Sequence, residues 1–308
     1  MVNSTRVGLK RLTAWRLRGQ AVGYLYVLPA VLFLLVFTVY PLAQAVVMSL
    51  TQVSARGEIG AWNNLASWLR LFQDGVFLHA VGLSLQFAVM GTVGSILFGL
   101  ILAQLFNMRW LPPALTNVLR GLAVLPWMFA TAVAALMWGL LLNRDGLINA
   151  WLKMLGLTRG PIMFVGNPVS ALPSLAAIFA WRVIPFVMVM VLAGLKSIPQ
   201  DLYEAAEVDG ATASQTYWRI TLPLIMPLIL TLSILTFVWG VGQFDLIRII
   251  TGGGPIDTTQ VVSFYIYRVG FLTLDWGYGA TISVAVFLVN TFFAVIYLYL
   301  SRRARPWE

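Results

Sequence analysis

The sequence of 308 residues contains no cysteine and only one histidine. It therefore has no disulfide framework, no cysteine nucleophile and no Cys/His metal site. Charge is also scarce, since charged residues make up 10% of the chain, compared with about 25% in soluble domains. Because 60% of the residues are hydrophobic, this composition excludes an ordinary soluble enzyme and indicates a protein that lies mostly in lipid.

Long uncharged stretches predict six transmembrane helices, each with roughly the 20 residues needed to cross a hydrocarbon core of ~30 Å. The stretches lack the alternation of apolar and polar residues that a membrane β-barrel requires. The predicted fold class is therefore all-α, a polytopic membrane protein. We place the helices near 24–50, 81–106, 117–142, 170–195, 223–248 and 277–300.

The positions of the basic residues predict the orientation of the chain. An excess of 20 Lys and Arg over 11 Asp and Glu would suggest nucleic acid in a soluble protein, but here the cations flank the helices. Lys and Arg are twice as frequent inside as outside if the N-terminus is cytoplasmic. Both termini are therefore predicted inside, and no nucleic-acid partner is expected. The predicted segments are a basic N-terminal segment 1–23, a retained first helix 24–50, a membrane core 75–301 and a cytoplasmic tail 302–308.

The outside segment 143–169 is longer than a simple turn. Its apolar residues have the spacing of a short amphipathic helix that lies at the membrane interface. These residues are Leu147, Ile148, Trp151, Leu152 and Leu155.

The inside loop 196–222 is unlike a simple connector. Asp201, Glu204 and Glu207 recur every three residues and predict a short helix with one acidic face. Ser197 is expected to cap this helix and Gly210 to end it. A solvated interfacial loop is one interpretation, and a docking element for a cytoplasmic partner is the other.

The same loop resembles the signature of the membrane subunits of ATP-binding-cassette (ABC) importers. That signature is E-A-A, three residues, G, nine residues, I, one residue, L-P. Every spacing is kept here, from Glu204-Ala205-Ala206 through Gly210 to Ile220 and Leu222-Pro223. The resemblance implies a coupling helix that seats in a cleft of a separate ATPase. The residues implied in coupling are Glu204, Ala205, Ala206, Asp209 and Gly210.

Further stretches resemble the carbohydrate-uptake permeases of the maltose and glycerol-3-phosphate importer group. They are LPAVLFLLVFTVYPL (28–42), VLPW (124–127), WRVIPFVMVMVLAGLKSIPQDLYEAAEVDGA (181–211) and FDLIRIITGGGP (244–255). The resemblance implies a type I importer core built from helices two to six, with an additional N-terminal helix that wraps a partner subunit. It further implies a location in the bacterial inner membrane. The implied partners are a second, homologous permease subunit, two ATPase subunits and an extracytoplasmic solute-binding protein.

The chain is not expected to bind a cofactor itself. It has no G-x-x-x-x-G-K-[ST] loop for nucleotide phosphates, so ATP and magnesium are expected on the partner ATPase. No nucleophile–base or metal constellation favours an intramembrane enzyme. The alternative is a secondary transporter or channel that needs no ATPase, although the few charges within the spans offer little for ion coupling.

Arg182 is the one charge predicted well inside a span, where an ionisable residue costs at least ~2.5 kcal/mol and normally faces protein or a water-filled path. One hypothesis is a structural pair with Asp245. The other is that Arg182 lines the solute path and binds sugar hydroxyls or an anionic group.

The resemblance also carries the sugar-contact positions of the maltose importer's membrane subunit onto this chain. Aromatic rings pack on the apolar face of a sugar, and Gln, Thr and Arg meet its hydroxyls. The positions are Thr131 on helix three; Arg182, Val183 and Phe186 on helix four; and Thr236, Trp239, Gly240 and Gln243 on helix five.

Overall fold

The computed structural model describes residues 26–107 and 112–303 of the chain. The predicted segment 1–23 and residues 304–308 of the predicted tail lie outside the described residues. The described helices are α1 (Tyr26–Leu50), α2 (Ala66–Gln73), α3 (Gly75–Asn107), α4 (Pro113–Met128), α5 (Thr131–Leu141), α6 (Leu147–Met154), α7 (Pro168–Ser197), α8 (Gln200–Val208), α9 (Ala213–Val241), α10 (Asp245–Ile250), α11 (Val262–Leu272) and α12 (Trp276–Arg303). A short antiparallel hairpin follows α1, with strands β1 (Thr51–Val53) and β2 (Ile59–Trp62).

The predicted spans are confirmed in position but not in number. Within the described residues, α1, α3, α7 and α9 are long and apolar enough to cross a membrane. The α4–α5 pair is a fifth span if the two helices count as one. The predicted sixth span corresponds to α12, which runs for 28 residues from Trp276 to Arg303.

The third predicted helix is broken. Residues 117–142 were expected to form one helix, but α4 and α5 meet at an angle of 97°. Phe129 and Ala130, between them, have extended backbone conformations. Both residues are as apolar as their neighbours, so hydropathy alone does not reveal the break.

The fifth predicted helix ends early. It was expected to run to residue 248, but α9 ends at Val241, where Gly242 is the C-terminal cap. Asp245 begins the separate helix α10. Two glycines within three residues, Gly240 and Gly242, weaken the helix at this point.

The core lies where α3 packs along α7, with α9 against both helices. A Cβ atom at Gly91 would lie 2.5 Å from the ring of Phe179, and one at Gly99 would lie 2.5 Å from Cγ1 of Val187. Carbon atoms that are not bonded stay about 3.5–4.0 Å apart. The two glycines therefore set the distance between α3 and α7.

Asp74 joins three elements at the end of the bundle where α3 begins. Its Oδ1 accepts hydrogen bonds from the backbone N–H groups of Val76 and Phe77. Its Oδ2 accepts the hydroxyl protons of Tyr265 and Tyr278, each at 2.6 Å. Burial alone would raise the pKa of this carboxyl, but the hydrogen bonds from the two tyrosines and the backbone outweigh it and hold the pKa below its usual value.

The N-terminal half of α1 has no buried residue, since positions 26–41 are all exposed. Only the last turns of α1 pack on α12, where Ser49 is buried. Most of the apolar surface of α1 is thus left uncovered by the rest of the described chain.

The close approach of α3 and α7 predicts the effect of adding two methyl groups. The double variant Gly91→Ala/Gly99→Ala should lower the free energy of unfolding by roughly 1–3 kcal/mol per site, because the core has no room for either Cβ. Thermal unfolding of the purified chain in detergent measures this loss. The matched control is Gly82→Ala in the same helix, since a Cβ there would meet nothing within 4 Å. Equal melting temperatures for the double variant and the control would contradict the packing account.

Candidate functional site

The predicted docking segment forms the short helix α8, which directly follows α7. Ser197 does not cap α8, contrary to the sequence prediction. Instead α7 continues through Ser197, whose hydroxyl bonds the carbonyl of Gly194 at 2.8 Å, and Pro199 precedes the first residue of α8. The capping box lies one helix later, where Thr212 and Gln215 bond each other's backbone at the start of α9.

The acidic face of α8 is exposed. Asp201, Glu204 and Glu207 are all exposed, and none of them forms an ion pair within the described residues. The neighbouring apolar residues Ala205 and Val208 are exposed as well, Val208 to 87%. Helix α8 therefore presents carboxylates and uncovered apolar side chains together on its outward surface.

The turn after α8 is built around Gly210, as predicted. Gly210 has a φ of +73° and donates its backbone N–H to the carbonyl of Glu207. Ala211 donates to the carbonyl of Ala206 at 2.9 Å. These two bonds form a Schellman motif, in which Asp209 is the helix cap and glycine takes the left-handed position.

Few contacts hold α8 to the body. Ala206 is buried, and the hydroxyl of Tyr203 lies 3.2 Å from that of Thr221 in α9. A cavity of about 440 Å³ lies on one flank, beside Leu202. A cavity of about 580 Å³ lies on the other, beside Tyr203 and Glu207. Helix α8 is therefore held to the rest of the chain through the side of the helix that carries Tyr203 and Ala206.

The structure brings two of the predicted pathway residues together with a third aromatic residue. Phe186 of α7 lies between Trp127 of α4 and Trp239 of α9, with ring centroids 5.6 Å and 5.1 Å away. Trp127 and Trp239 remain partly exposed. This aromatic line joins α4, α7 and α9.

Arg182 lies one helical turn before Phe186 on the same face of α7. Its Nε atom is buried and has no hydrogen-bond partner within the described chain. Arg182 and Asp245 are both described, yet no ion pair of 4 Å or less joins them. The guanidinium thus has capacity for further hydrogen bonds.

Three further residues of the predicted pathway, on α7 and α9, are packed inside the bundle, as is Gln243, which follows the end of α9. Val183 and Thr236 are fully buried, and the Thr236 hydroxyl bonds the carbonyl of Leu232 at 2.9 Å. A Cβ at Gly240 would lie 2.9 Å from Cα of Ala88, so this glycine lets α9 approach α3. Gln243 is buried, and its backbone carbonyl accepts a hydrogen bond from the hydroxyl of Ser263.

Thr131, the remaining predicted position, is the first residue of α5 after the break. A second aromatic group surrounds this corner, where Trp181 stacks on Phe129 and meets Trp138 edge-on at 5.3 Å. Sequence reasoning missed Trp127 and Trp181 as neighbours of the site. The signal was present, since Trp127 ends the VLPW stretch and Trp181 directly precedes Arg182.

Comparison with known proteins identifies the family. Residues 95–306 match the family described as binding-protein-dependent transport system inner membrane component. The trehalose/maltose transport system permease protein MalF of Thermococcus litoralis is 32% identical over 296 residues, which cover 94% of this chain and 96% of that protein. The sulfoquinovosyl glycerol transport system permease protein SmoG of Agrobacterium fabrum is 30% identical over 305 residues, covering 98% and 97%.

A solved structure confirms the fold class. The bacterial alginate ABC transporter, in complex with its alginate pentasaccharide-bound periplasmic protein, contains a chain that superimposes with a TM-score of 0.79. The match covers 94% of this chain and 97% of that chain, at 23% identity. The described helices thus have the arrangement of an ABC importer permease.

The Tyr203–Thr221 contact predicts a measurable link between α8 and α9. Tyr203→Phe and Thr221→Val should each destabilise the chain, and a double-mutant cycle should return a coupling energy of roughly 0.5–1.5 kcal/mol, the usual net value of one hydrogen bond. Unfolding of the four proteins in detergent gives the cycle. The control is a second cycle in which Tyr217→Phe replaces Tyr203→Phe, and its coupling energy should be near zero. If the effects of Tyr203→Phe and Thr221→Val on the free energy of unfolding are additive, the two residues are not linked.

Proposed function

Because this chain belongs to the family of binding-protein-dependent transport system inner membrane components, we propose that it moves a sugar or sugar derivative across the membrane by alternating access, driven by ATP that a separate subunit hydrolyses. The chain is then a non-catalytic translocation subunit. ATP and magnesium are held by the partner ATPase, and this chain binds no cofactor of its own.

The observation that best supports the proposal is the exposed helix α8 with its turn at Gly210. In this proposal Glu204, Ala205, Asp209 and Gly210 form the contact with the ATPase, and the buried Ala206 holds α8 against the rest of the chain during coupling. In this account the ATPase pulls or pushes α8 when nucleotide binds, and α9 transmits the displacement through Tyr203 and Thr221.

The same proposal assigns partners to the other free surfaces. Both termini are cytoplasmic, which places α8 inside and α6 outside. A second, homologous permease subunit covers the exposed N-terminal half of α1, and the N-terminal helix wraps this partner. An extracytoplasmic solute-binding protein delivers the substrate. In support, the alginate transporter is in complex with a periplasmic protein that is bound to an alginate pentasaccharide.

The substrate class follows from the aromatic line and Arg182. Relatives of this chain are named for trehalose and maltose and for sulfoquinovosyl glycerol, so both neutral and anionic sugars occur among them. Phe186 and Trp239 would pack on the apolar face of a sugar ring, and Arg182 would bind hydroxyls or an anionic group. Val183, Thr236 and Gly240 would then support the site through packing, and Thr131 and Gln243 would be further contacts for the sugar.

Replacing the signature residues should uncouple ATP hydrolysis from transport. In the complete complex in liposomes, Glu204→Ala/Gly210→Ala should reduce substrate-stimulated ATP hydrolysis roughly tenfold, within the usual range of coupling free energies. Gly210→Ala strains the left-handed turn, and Glu204→Ala removes an exposed carboxylate from the docking face.

The control for this variant is the chemically matched pair Glu58→Ala/Gly57→Ala in the hairpin. Gly57 has a φ of +83°, and a methyl group added there, as at Gly210, would meet no atom within 4 Å. Substrate-stimulated hydrolysis at the wild-type rate in the Glu204/Gly210 variant would refute the coupling role. Uptake by this chain alone, driven by an ion gradient, would establish the alternative of a secondary transporter.

Arg182→Gln should impair transport while the complex still assembles. We expect roughly a tenfold or greater loss, since a hydrogen bond to a charged group contributes about 1.5–3 kcal/mol. Uptake of radiolabelled sugar measures the loss, and size-exclusion chromatography measures assembly.

Asp245→Asn serves as the comparison for Arg182→Gln. If both variants aggregate, the two residues are a structural pair and the solute-path role is wrong. If Arg182→Gln transports at the wild-type rate, Arg182 does not contact the substrate.

A further inference from the structure

Helix α6 has one face attached to the bundle and one face free. Ile148 packs against the main core, and Asn149 is buried. The amide of Asn149 donates to the carbonyls of Asn143 and Ile162, each at 3.0 Å, and accepts the N–H of Ile162 at 2.8 Å. One side chain therefore fastens α6 to the chain before it and to the chain after it.

These bonds set the depth of α6. The segment after α6 is itself held to the first turns of α7, because the hydroxyls of Ser170 and Ser174 bond the carbonyl of Phe164. At the other end, Asn143 lies two residues beyond α5. Since α6 is fixed at the level where α7 begins, it lies at the membrane–water boundary rather than in the aqueous phase.

The free face of α6 is strongly apolar. Leu147, Trp151, Met154 and Leu155 occur at i, i+4, i+7 and i+8, and all are exposed, Trp151 to 57% and Met154 to 78%. No described part of the chain covers them. A helix with such a face at the boundary places it among lipid acyl chains, with tryptophan at headgroup level.

Three cations flank this face. Arg144 lies just before α6, Lys153 lies within its last turn and Arg159 follows it, and all three are exposed. None of them forms an ion pair within the described residues, whereas Arg70 and Arg268 pair with Asp275 and Asp257. Asp145 is the one acid in the segment 143–169, so the segment carries an unbalanced positive charge.

We propose that α6 lies in the headgroup layer and that Arg144, Lys153 and Arg159 bind the phosphate groups of anionic phospholipids. A large apolar face beside unpaired cations matches a lipid surface, which offers acyl chains and phosphates together. A soluble protein partner would need an acidic rim and an apolar patch of the same shape. The orientation proposed above decides which leaflet α6 contacts, but the lipid contact itself does not depend on it.

The absence of cysteine makes the depth of α6 directly measurable. Met154→Cys creates the single labelling site for a fluorophore in this chain, and the complex is assembled with partner subunits whose own cysteines have been replaced. In nanodiscs, lipids with brominated acyl chains should quench this label. The control label at Val208→Cys, on the exposed face of α8, should not be quenched.

The anionic preference is tested with the triple variant Arg144→Gln/Lys153→Gln/Arg159→Gln. Native mass spectrometry of the complex should show retention of phosphatidylglycerol over phosphatidylcholine, and the variant should lose this preference by about fivefold per cation. Arg56→Gln, an exposed cation of the hairpin, is the matched control and should retain the preference. If the triple variant does not assemble, the single variant Lys153→Gln replaces it, and a smaller loss of the preference for phosphatidylglycerol is expected.

The two measurements can overturn the proposal separately from the transport function. If brominated lipid does not quench the label at Met154→Cys, α6 does not lie among acyl chains. If an added solute-binding protein removes the quenching, α6 is a protein-docking surface instead. Equal retention of phosphatidylglycerol in the wild-type, triple-variant and Lys153→Gln complexes would exclude a headgroup site. Neither readout requires ATP hydrolysis or sugar uptake, so a failure of the proposed function would leave both results interpretable.

Discussion

The close contact between α3 and α7 is the constraint on which the rest of the bundle depends. Lipid supplies no hydrophobic force between helices, so association relies on packing and on small residues that let backbones approach. Gly91 and Gly99 serve this purpose against Phe179 and Val187. Gly240 does the same for α9 against α3. With these helices held together, one face of α7 is committed to packing, and the adjacent face carries Arg182 and Phe186.

This division explains why only part of the predicted pathway is open. Thr236 and Gly240 share a helix with Trp239, but they point at α3, whereas Trp239 points at Phe186. Helix α9 also begins beside α8, where Thr221 meets Tyr203. A single continuous helix of 29 residues, about 43 Å long, therefore joins the exposed helix α8 to the aromatic line. A displacement of α9 beside α8 would therefore also displace Trp239 near its other end.

Several features were predictable because their signals are local. Uncharged runs located the spans, the apolar spacing of residues 147–155 located α6, and Gly210 located the turn after α8. The failures occurred where the signal was absent or misleading. Phe129 and Ala130 break the third helix although both are apolar. Ser197 looked like a cap, but α7 continues through it because its hydroxyl bonds back to its own helix.

The order of residues alone was enough to predict a polytopic membrane protein and to locate the exposed helix α8 and its turn, since hydropathy, charge and the spacing around Gly210 are local properties of the chain. Which pathway residues remain accessible is instead a property of the tertiary fold. Whether Thr236 packs or binds, whether Arg182 meets Asp245, and that Phe186 lies between Trp127 and Trp239 all depend on the rotation and separation of α4, α7 and α9. Those quantities arise from contacts between residues far apart in the chain, which no local pattern encodes.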